Sequence, residues 1–198
     1  MPPERSAGPP CPRPLQISIV WHTRRRPSVE PLLRRIGRHV ASAEGFHRGQ
    51  LCVAIVNQQD MQKLHRRFYG TAKAGDVLAF DLGCNRRTGQ LQADIVICAD
   101  VARKYCQEAL RLPPGTTPGR NRRLRSALHA ELALYLTHGI LHLAGYNDHR
   151  LRDFRRMRAR QERLLADCGL HPLSVPGCCP PAPLAAPTRQ ERRAARRK

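Results

Sequence analysis

Long apolar runs, signal-like segments and C-x-x-C cysteine pairs are absent from this sequence of 198 residues. No uninterrupted apolar run approaches the roughly 18 residues that a membrane-spanning helix needs. The first residues, up to Pro14, are rich in proline and contain no apolar segment typical of a signal peptide. The eight cysteines include no C-x-x-C pair, so neither a zinc ribbon nor a thioredoxin-like site is indicated. We therefore expect a cytoplasmic protein with no membrane partner.

Acidic and aromatic side chains are also scarce. The 15 acidic residues face 35 basic ones, which leaves a net charge of +20 and favours a polyanionic partner such as RNA. A second interpretation stays open, because only four of the basic residues are lysines and the chain is rich in alanine, proline and glycine, a pattern typical of compositional bias. Aromatic residues make up 5% of the chain, which argues against an extended stacking platform for single-stranded bases.

The order of patterns along the chain predicts one domain between two tails. Residues 1–14 are expected to form a disordered leader, and residues 170–198 a disordered basic tail rich in proline and alanine. Between them, residues 15–169 have strand-like segments mainly in the first half and helical patterns in the second. This arrangement predicts an α+β domain, although the pattern alone does not give the strand order.

Two histidines are spaced as metal ligands on a helix. His138 and His142 are four residues apart and therefore lie one turn apart on the same face of a helix predicted over 126–144. An apolar run precedes them, so the helix is expected to be buried on most sides. Gly145 can then end the helix in a left-handed conformation, which allows the chain to bring back a third ligand. Three neutral imidazoles and one open position are typical of a catalytic zinc site, although a single histidine on such a helix is usually a core residue.

The residue after the first histidine excludes the commonest alternative. Zinc proteases carry a glutamate there as general base, whereas this chain has Gly139. A peptidase is therefore not expected.

The stretch from His138 to His149 resembles the signature of the YbeY-type endoribonucleases, H-G-x-L-H-L-x-G-Y-D-H, with Asn147 as an extra residue. The segments 76–80 and 94–97 resemble further motifs of that family, and the likeness extends over residues 15–168. The resemblance implies a small four-stranded mixed sheet packed with helices, with the metal site on a buried helix of the C-terminal half. It also implies a zinc-dependent, single-strand endoribonuclease in rRNA processing and ribosome maturation, with an rRNA precursor and the small ribosomal subunit as partners.

The resemblance implies one Zn²⁺ per chain held by His138, His142 and a third residue. In the family spacing the third ligand falls on Asp148, with His149 one residue later, and both side chains can bind zinc. We expect His149, because the loop after the helix can absorb Asn147 as an insertion. His138 and Glu131 are the candidate catalytic residues; Glu131 lies seven residues earlier, near the same helical face.

One substitution concerns the substrate rather than the metal. Tyr69 stands where the family pattern has an arginine that contacts the RNA phosphate, and tyrosine cannot neutralise that charge. Nearby basic residues are candidates to compensate, so that the predicted RNA-binding set is Arg66, Arg67, Tyr69, Arg86 and Arg87.

Two alternative functions fit the same residues. One is a ribosome-associated RNA-binding factor with a structural metal and little cleavage activity. The other is a metal hydrolase that acts on another substrate.

Overall fold

The structure is a computed structural model that describes residues 14–23, 28–71 and 75–173. The predicted leader and tail lie outside the described residues, apart from residue 14 and residues 170–173. Within the described residues the chain forms four strands and five helices. Their order is β1 (Gln16–Trp21), α1 (Glu30–Ala43), β2 (Arg48–Val56), α2 (Gln58–Tyr69), β3 (Val77–Asp81), β4 (Gln90–Cys98), α3 (Ala99–Ala109), α4 (Arg122–Leu143) and α5 (Leu151–Ala166).

The four strands form one mixed sheet in the order β1-β2-β4-β3. The β1–β2 and β2–β4 pairs are parallel, while β3 runs antiparallel to β4. Parallel neighbours need a crossover connection, and α1 supplies the connection from β1 to β2. The predicted α+β class and the four-stranded mixed sheet are confirmed.

The two faces of the sheet are covered by different helices. One face presents alternate apolar residues of β2 and β4, such as Leu51, Val53 and Ile95, to a core shared with α1 and α4. The opposite face presents Val56 and Val96 to a smaller core that includes Met61 of α2. Because side chains alternate along a strand, α2 and α4 lie on opposite sides of the sheet.

Helix α4 begins earlier than the sequence pattern predicted. It starts at Arg122 instead of residue 126, because the side chain of Asn121 accepts a hydrogen bond from the backbone N–H of Leu124 and caps the helix. Its residues are buried on most sides, as expected. No helix in the described residues is both long and apolar enough to cross a bilayer.

The last helix is attached to the first by a buried carboxylate. Glu44, which follows α1, is 2% exposed and accepts a 2.7 Å hydrogen bond from Nε of Arg160 on α5. The guanidinium of Arg86 donates to the Glu44 carbonyl at 2.9 Å and to the Ala144 carbonyl, just after α4, at 3.1 Å. These contacts hold α5 and the end of α4 in a fixed relation to α1.

Candidate metal centre

Three potential metal donors converge at the C-terminal end of α4. The Nε2 atoms of His138 and His142 are 2.8 Å apart, and each lies 3.8 Å from Oδ2 of Asp148. In a tetrahedral zinc site with bonds of about 2.0–2.1 Å, donor atoms are separated by roughly 3.3 Å. The observed separations bracket that value, so His138, His142 and Asp148 can hold one ion after shifts of about half an ångström.

Each histidine is oriented by a hydrogen bond at its other nitrogen. Nδ1–H of His142 donates to the carbonyl of Tyr146 at 3.1 Å, which leaves its Nε2 with a free lone pair. Nε2 of the side-chain amide of Gln161, on α5, lies 3.2 Å from Nδ1 of His138, and turning the amide about its last bond exchanges this nitrogen for the oxygen. An amide that presents its oxygen there accepts from Nδ1–H and selects the tautomer that a metal ligand needs. Helix α5 therefore orients a residue of α4.

Burial keeps the two imidazoles neutral. Desolvation, together with a smaller effect of the neighbouring His142, lowers the pKa of His138 to about 3. Desolvation also lowers the pKa of His142, although the nearby Asp148 carboxylate opposes this shift. Neutral imidazoles present lone pairs at neutral pH, so protons do not compete with a metal for these nitrogens.

The burial of the Asp148 carboxylate is the observation that indicates a cation site. The residue is 4% exposed, and neither of its oxygens has a hydrogen-bond partner among the described residues. A buried carboxylate without a partner is costly, and it is normally paired with a positive charge or bound to a metal. The donor set and its environment therefore fit a divalent ion.

The third donor that the structure brings to the histidines is Asp148, whereas the sequence prediction was His149. Gly145 ends α4 with φ +92°, and the backbone N–H of Tyr146 donates back to the Leu141 carbonyl. Asn147 then accepts a hydrogen bond from the His149 N–H at 3.0 Å. In this tight turn Asp148 faces the histidines and His149 is exposed. Asp148 therefore stands at the position that the third ligand has in the family spacing. Asn147 is part of this spacing and is not accommodated as an insertion.

Gly139 has a packing role. A Cβ atom at this position would lie 3.0 Å from Cδ1 and 3.2 Å from Cγ2 of Ile95 on β4. The residue therefore faces the sheet, and a larger side chain there would push α4 away from β4. A glutamate in the position of the protease base would meet Ile95 instead of a substrate.

Glu131 and Asp76 line the same cavity as His138 and Asp148. The pKa of Glu131 is raised to about 7, mainly by burial; a hydrogen bond from Tyr135 opposes this shift, and the charge of Asp76 adds to it. Burial also raises the pKa of Asp76. Glu131 lies two turns, or about 10 Å along the helix, from His138, so it does not support a ligand directly. Sequence reasoning missed Asp76, although the motif at 76–80 contained it.

The predicted RNA-binding residues do not form one surface. Arg66 and Arg67 are exposed on α2, on the opposite face of the sheet from α4. Tyr69 is partly buried, and its ring stacks on His65 at 5.3 Å. Arg86 lies near the end of α4, where its guanidinium binds Glu44 and the Ala144 carbonyl. Arg87 is exposed on the connection between β3 and β4.

The fold and the donor group define the class: an α+β domain that can hold a metal ion at the end of a buried helix. The family model described as Endoribonuclease YbeY matches residues 22–169, about three quarters of the sequence. The chain belongs to the YbeY endoribonuclease family, as its resemblance to that family predicted.

Individual relatives agree with this assignment. A protein of Anaeromyxobacter sp. (strain Fw109-5), named Endoribonuclease YbeY, is 35% identical over 145 residues, which cover 73% of this chain and 67% of the relative. The Thermobifida fusca protein of the same name is 30% identical over 148 residues, or 71% of this chain and 86% of the relative. The solution structure of a Thermotoga maritima protein is similar with a TM-score of 0.50, at 20% identity, over 83% of this chain and 100% of that one. That likeness shows the fold alone.

Proposed function

We propose that this chain is a metal-dependent endoribonuclease that cleaves single-stranded RNA during rRNA processing and ribosome maturation. Membership in a family of endoribonucleases supports the reaction, and the net charge of +20 supports a nucleic-acid substrate. The single observation that carries the metal dependence is the buried Asp148 carboxylate, which faces two neutral imidazoles and has no other partner among the described residues.

In this proposal His138, His142 and Asp148 hold the ion, and zinc suits a set of two imidazoles and one carboxylate. Other divalent ions of the first transition row accept the same donors, so metal analysis of the purified protein must identify the ion. When bound, such an ion supplies Lewis acidity for phosphodiester hydrolysis. His138 and His142 are kept neutral by burial, and Gln161 and the Tyr146 carbonyl fix their orientation. An rRNA precursor, the small ribosomal subunit and a cytoplasmic location belong to the same proposal.

The proposal is tested by cleavage of labelled single-stranded RNA with the purified full chain, before and after treatment with a chelator. We expect cleavage that stops on chelation and returns when zinc is added. His142→Ala should abolish both metal retention and cleavage. His22→Ala is the matched control, because His22 is exposed and is not one of the three donors, and it should leave both unchanged.

The two alternatives give different results in the same experiment. Retained metal and tight RNA binding without any cleavage would identify an RNA-binding factor with a structural metal. Cleavage that persists after complete removal of the metal would refute the proposed metal dependence. Metal-dependent hydrolysis of another phosphoester, with RNA left intact, would identify a hydrolase of a different substrate.

A further inference from the structure

A cavity of about 490 Å³ opens beside the candidate metal centre. It lies between α3, α4, α5 and the segment that follows α5, and a volume of this size is typical of small-molecule sites. Its wall is mostly apolar and aromatic, formed by Tyr105, Tyr135, Phe154, Met157, Leu170 and Leu173. Although the sequence is poor in aromatic residues, three of its eight tyrosines and phenylalanines line this one space.

The cavity contains a buried acceptor that lacks a donor. Glu131 is 1% exposed, and its Oε2 atom has no hydrogen-bond partner among the described residues. A buried polar atom without a partner destabilises the fold, so it marks a place where an incoming N–H group gains a hydrogen bond. Helical spacing puts Glu131 about 10 Å along α4 from His138, beside the metal centre and outside its donor set.

The charges around the cavity favour different positions for the phosphate and the base of a nucleotide. Asp76 and Glu131 line the cavity outside the metal donor set, and Arg158 of its wall is paired with Glu162, so a phosphate group that is not held by the metal gains little there. The outer surface of α5 carries four exposed arginines on one stripe: Arg152, Arg155, Arg156 and Arg163. The phosphate backbone is therefore attracted to the outside of α5, while an uncharged, flat base fits between the aromatic walls.

We propose that this cavity binds one nucleobase of the RNA, next to the phosphodiester held at the metal centre, and that Glu131 accepts a hydrogen bond from the exocyclic amino group of that base. The proposal rests on the proposed function, because it assumes an RNA substrate. Adenine, cytosine and guanine carry such an amino group, whereas uracil presents carbonyl oxygens at the corresponding positions. Uracil would leave the Oε2 atom unpaired and place oxygen against oxygen.

The experiment compares AMP, CMP, GMP and UMP as ligands of the metal-loaded full chain, by calorimetric titration at fixed salt and at about pH 8.5, where the Glu131 carboxyl, whose pKa burial raises to about 7, is ionised and can only accept hydrogen bonds. We expect UMP to bind about tenfold more weakly than the others, the cost of one unmade buried hydrogen bond. The four ligands carry the same phosphate, so a contact of the phosphate alone predicts equal affinities. Equal binding of UMP would therefore overturn the proposal.

Two variants of Glu131 separate recognition from packing. Glu131→Leu removes the acceptor at similar volume, and we expect CMP and UMP, whose bases have the same ring size, to bind this variant equally while zinc is retained. Glu131→Gln presents an amide that can turn either to accept from CMP or to donate to UMP, so it should reduce the difference between these two ligands at nearly unchanged volume. Glu108→Gln is the matched control, because Glu108 is an exposed residue on α3 that does not line the cavity. A preference against UMP that survives in Glu131→Leu would assign it to another group and contradict the proposal.

The cleavage products provide a readout that is independent of the titration. Sequencing the ends produced from a random RNA pool should show depletion of uridine at one fixed distance from the cut, and Glu131→Leu should remove this depletion. Loss of cleavage on chelation tests the proposed function, whereas the position-specific depletion tests only the base site. Metal-dependent cleavage with no depletion at any position would leave the function intact and refute the base site.

Discussion

Asp148 and His149 are adjacent in the sequence, and the turn after α4 directs only one of them toward the two histidines. Both are acceptable zinc ligands, so chemistry alone does not choose between them. Backbone geometry makes the choice, because Gly145 adopts a positive φ and the following turn buries Asp148 while it exposes His149. A cation held between the three side chains would stabilise this buried, unpaired carboxylate.

The first prediction concerns this pair of residues. Asp148→Asn should weaken zinc binding by more than about a hundredfold, since even the loss of an outer partner of a ligand costs 10–100-fold. His149→Ala should retain zinc, measured by competition with a chromogenic chelator on folded protein. Zinc lost from His149→Ala and kept by Asp148→Asn would restore His149 as the third ligand.

The second prediction concerns the pH dependence of stability through Glu131. Its pKa is raised from 4.5 to about 7, so the folded state holds the proton more tightly than the unfolded state does. This group therefore stabilises the fold fully below about pH 4.5, and that contribution is lost as the pH rises through about 7. The burial of His138 has the opposite effect on the pH dependence of stability. Its pKa is lowered, so in acid the unfolded state binds a proton at this histidine more readily than the folded state does, and the fold is destabilised.

Comparison of two proteins isolates the contribution of Glu131. The free energy of unfolding of metal-free wild type, relative to that of Glu131→Gln, should fall by up to roughly 3 kcal/mol between pH 4.5 and 7. Urea denaturation at each pH measures this difference. A difference that stays constant over this range would show that Glu131 has an ordinary pKa in the folded protein.

At the scale of elements, α4 depends on its neighbours for the geometry of the site. Gln161 of α5 contacts His138 although 23 positions separate them, and the contacts of Glu44 hold α5 against the end of α1. The position of α5 therefore affects both the orientation of a metal ligand and one wall of the cavity.

The third prediction tests this attachment of α5. Glu44→Ala removes a 2% exposed carboxylate that pairs with Arg160 and Arg86. Breaking a buried ion pair costs roughly 3–5 kcal/mol, but these arginines are 27% and 53% exposed and can reach water, so we expect about 2 kcal/mol. Zinc affinity should fall as well, because Gln161 loses its fixed position. Glu162→Ala, which breaks the exposed pair with Arg158, should cost less than about 1 kcal/mol.

At the scale of the whole molecule, the basic side chains of the described residues differ in their surroundings. Several arginines are occupied within the fold, as Arg86 and Arg160 show by their bonds to Glu44. The four arginines on the outer stripe of α5 are exposed and form no ion pair with any residue that the structure describes. We therefore propose this stripe as a contact surface for RNA phosphates, in addition to the arginines that the sequence first suggested.

The fourth prediction compares two basic surfaces by the salt dependence of RNA binding. Each arginine that contacts a phosphate of single-stranded RNA contributes roughly 0.7 to the slope of log affinity against log salt. Replacing Arg152, Arg155, Arg156 and Arg163 by glutamine should therefore reduce the slope by up to about 2.8. Arg66→Gln with Arg67→Gln, on the other side of the sheet, should change it little. The reverse result would favour the surface on α2.

Local patterns in the sequence determined much of this protein. The four-residue spacing put His138 and His142 on one helical face, and Gly145 marked the end of α4, because helix geometry and helix stop signals act over a few residues. The same local signals indicated the strands and the α+β class. The sequence pattern did not predict that α4 begins after Asn121. Basic residues follow this capping asparagine, and they carry no apolar periodicity that would mark the start of a helix.

Tertiary structure decided what depends on contacts between distant residues. Strand order and the antiparallel direction of β3 arise from pairing across the chain, for which local periodicity carries no signal. The backbone angles of the turn after α4 direct Asp148 toward the histidines. The sequence shows only that two residues able to bind a metal are adjacent, and it does not give these angles. The cavity around Glu131 exists only because α3, α4 and α5 pack together, and the burial that alters its acidity follows from that packing.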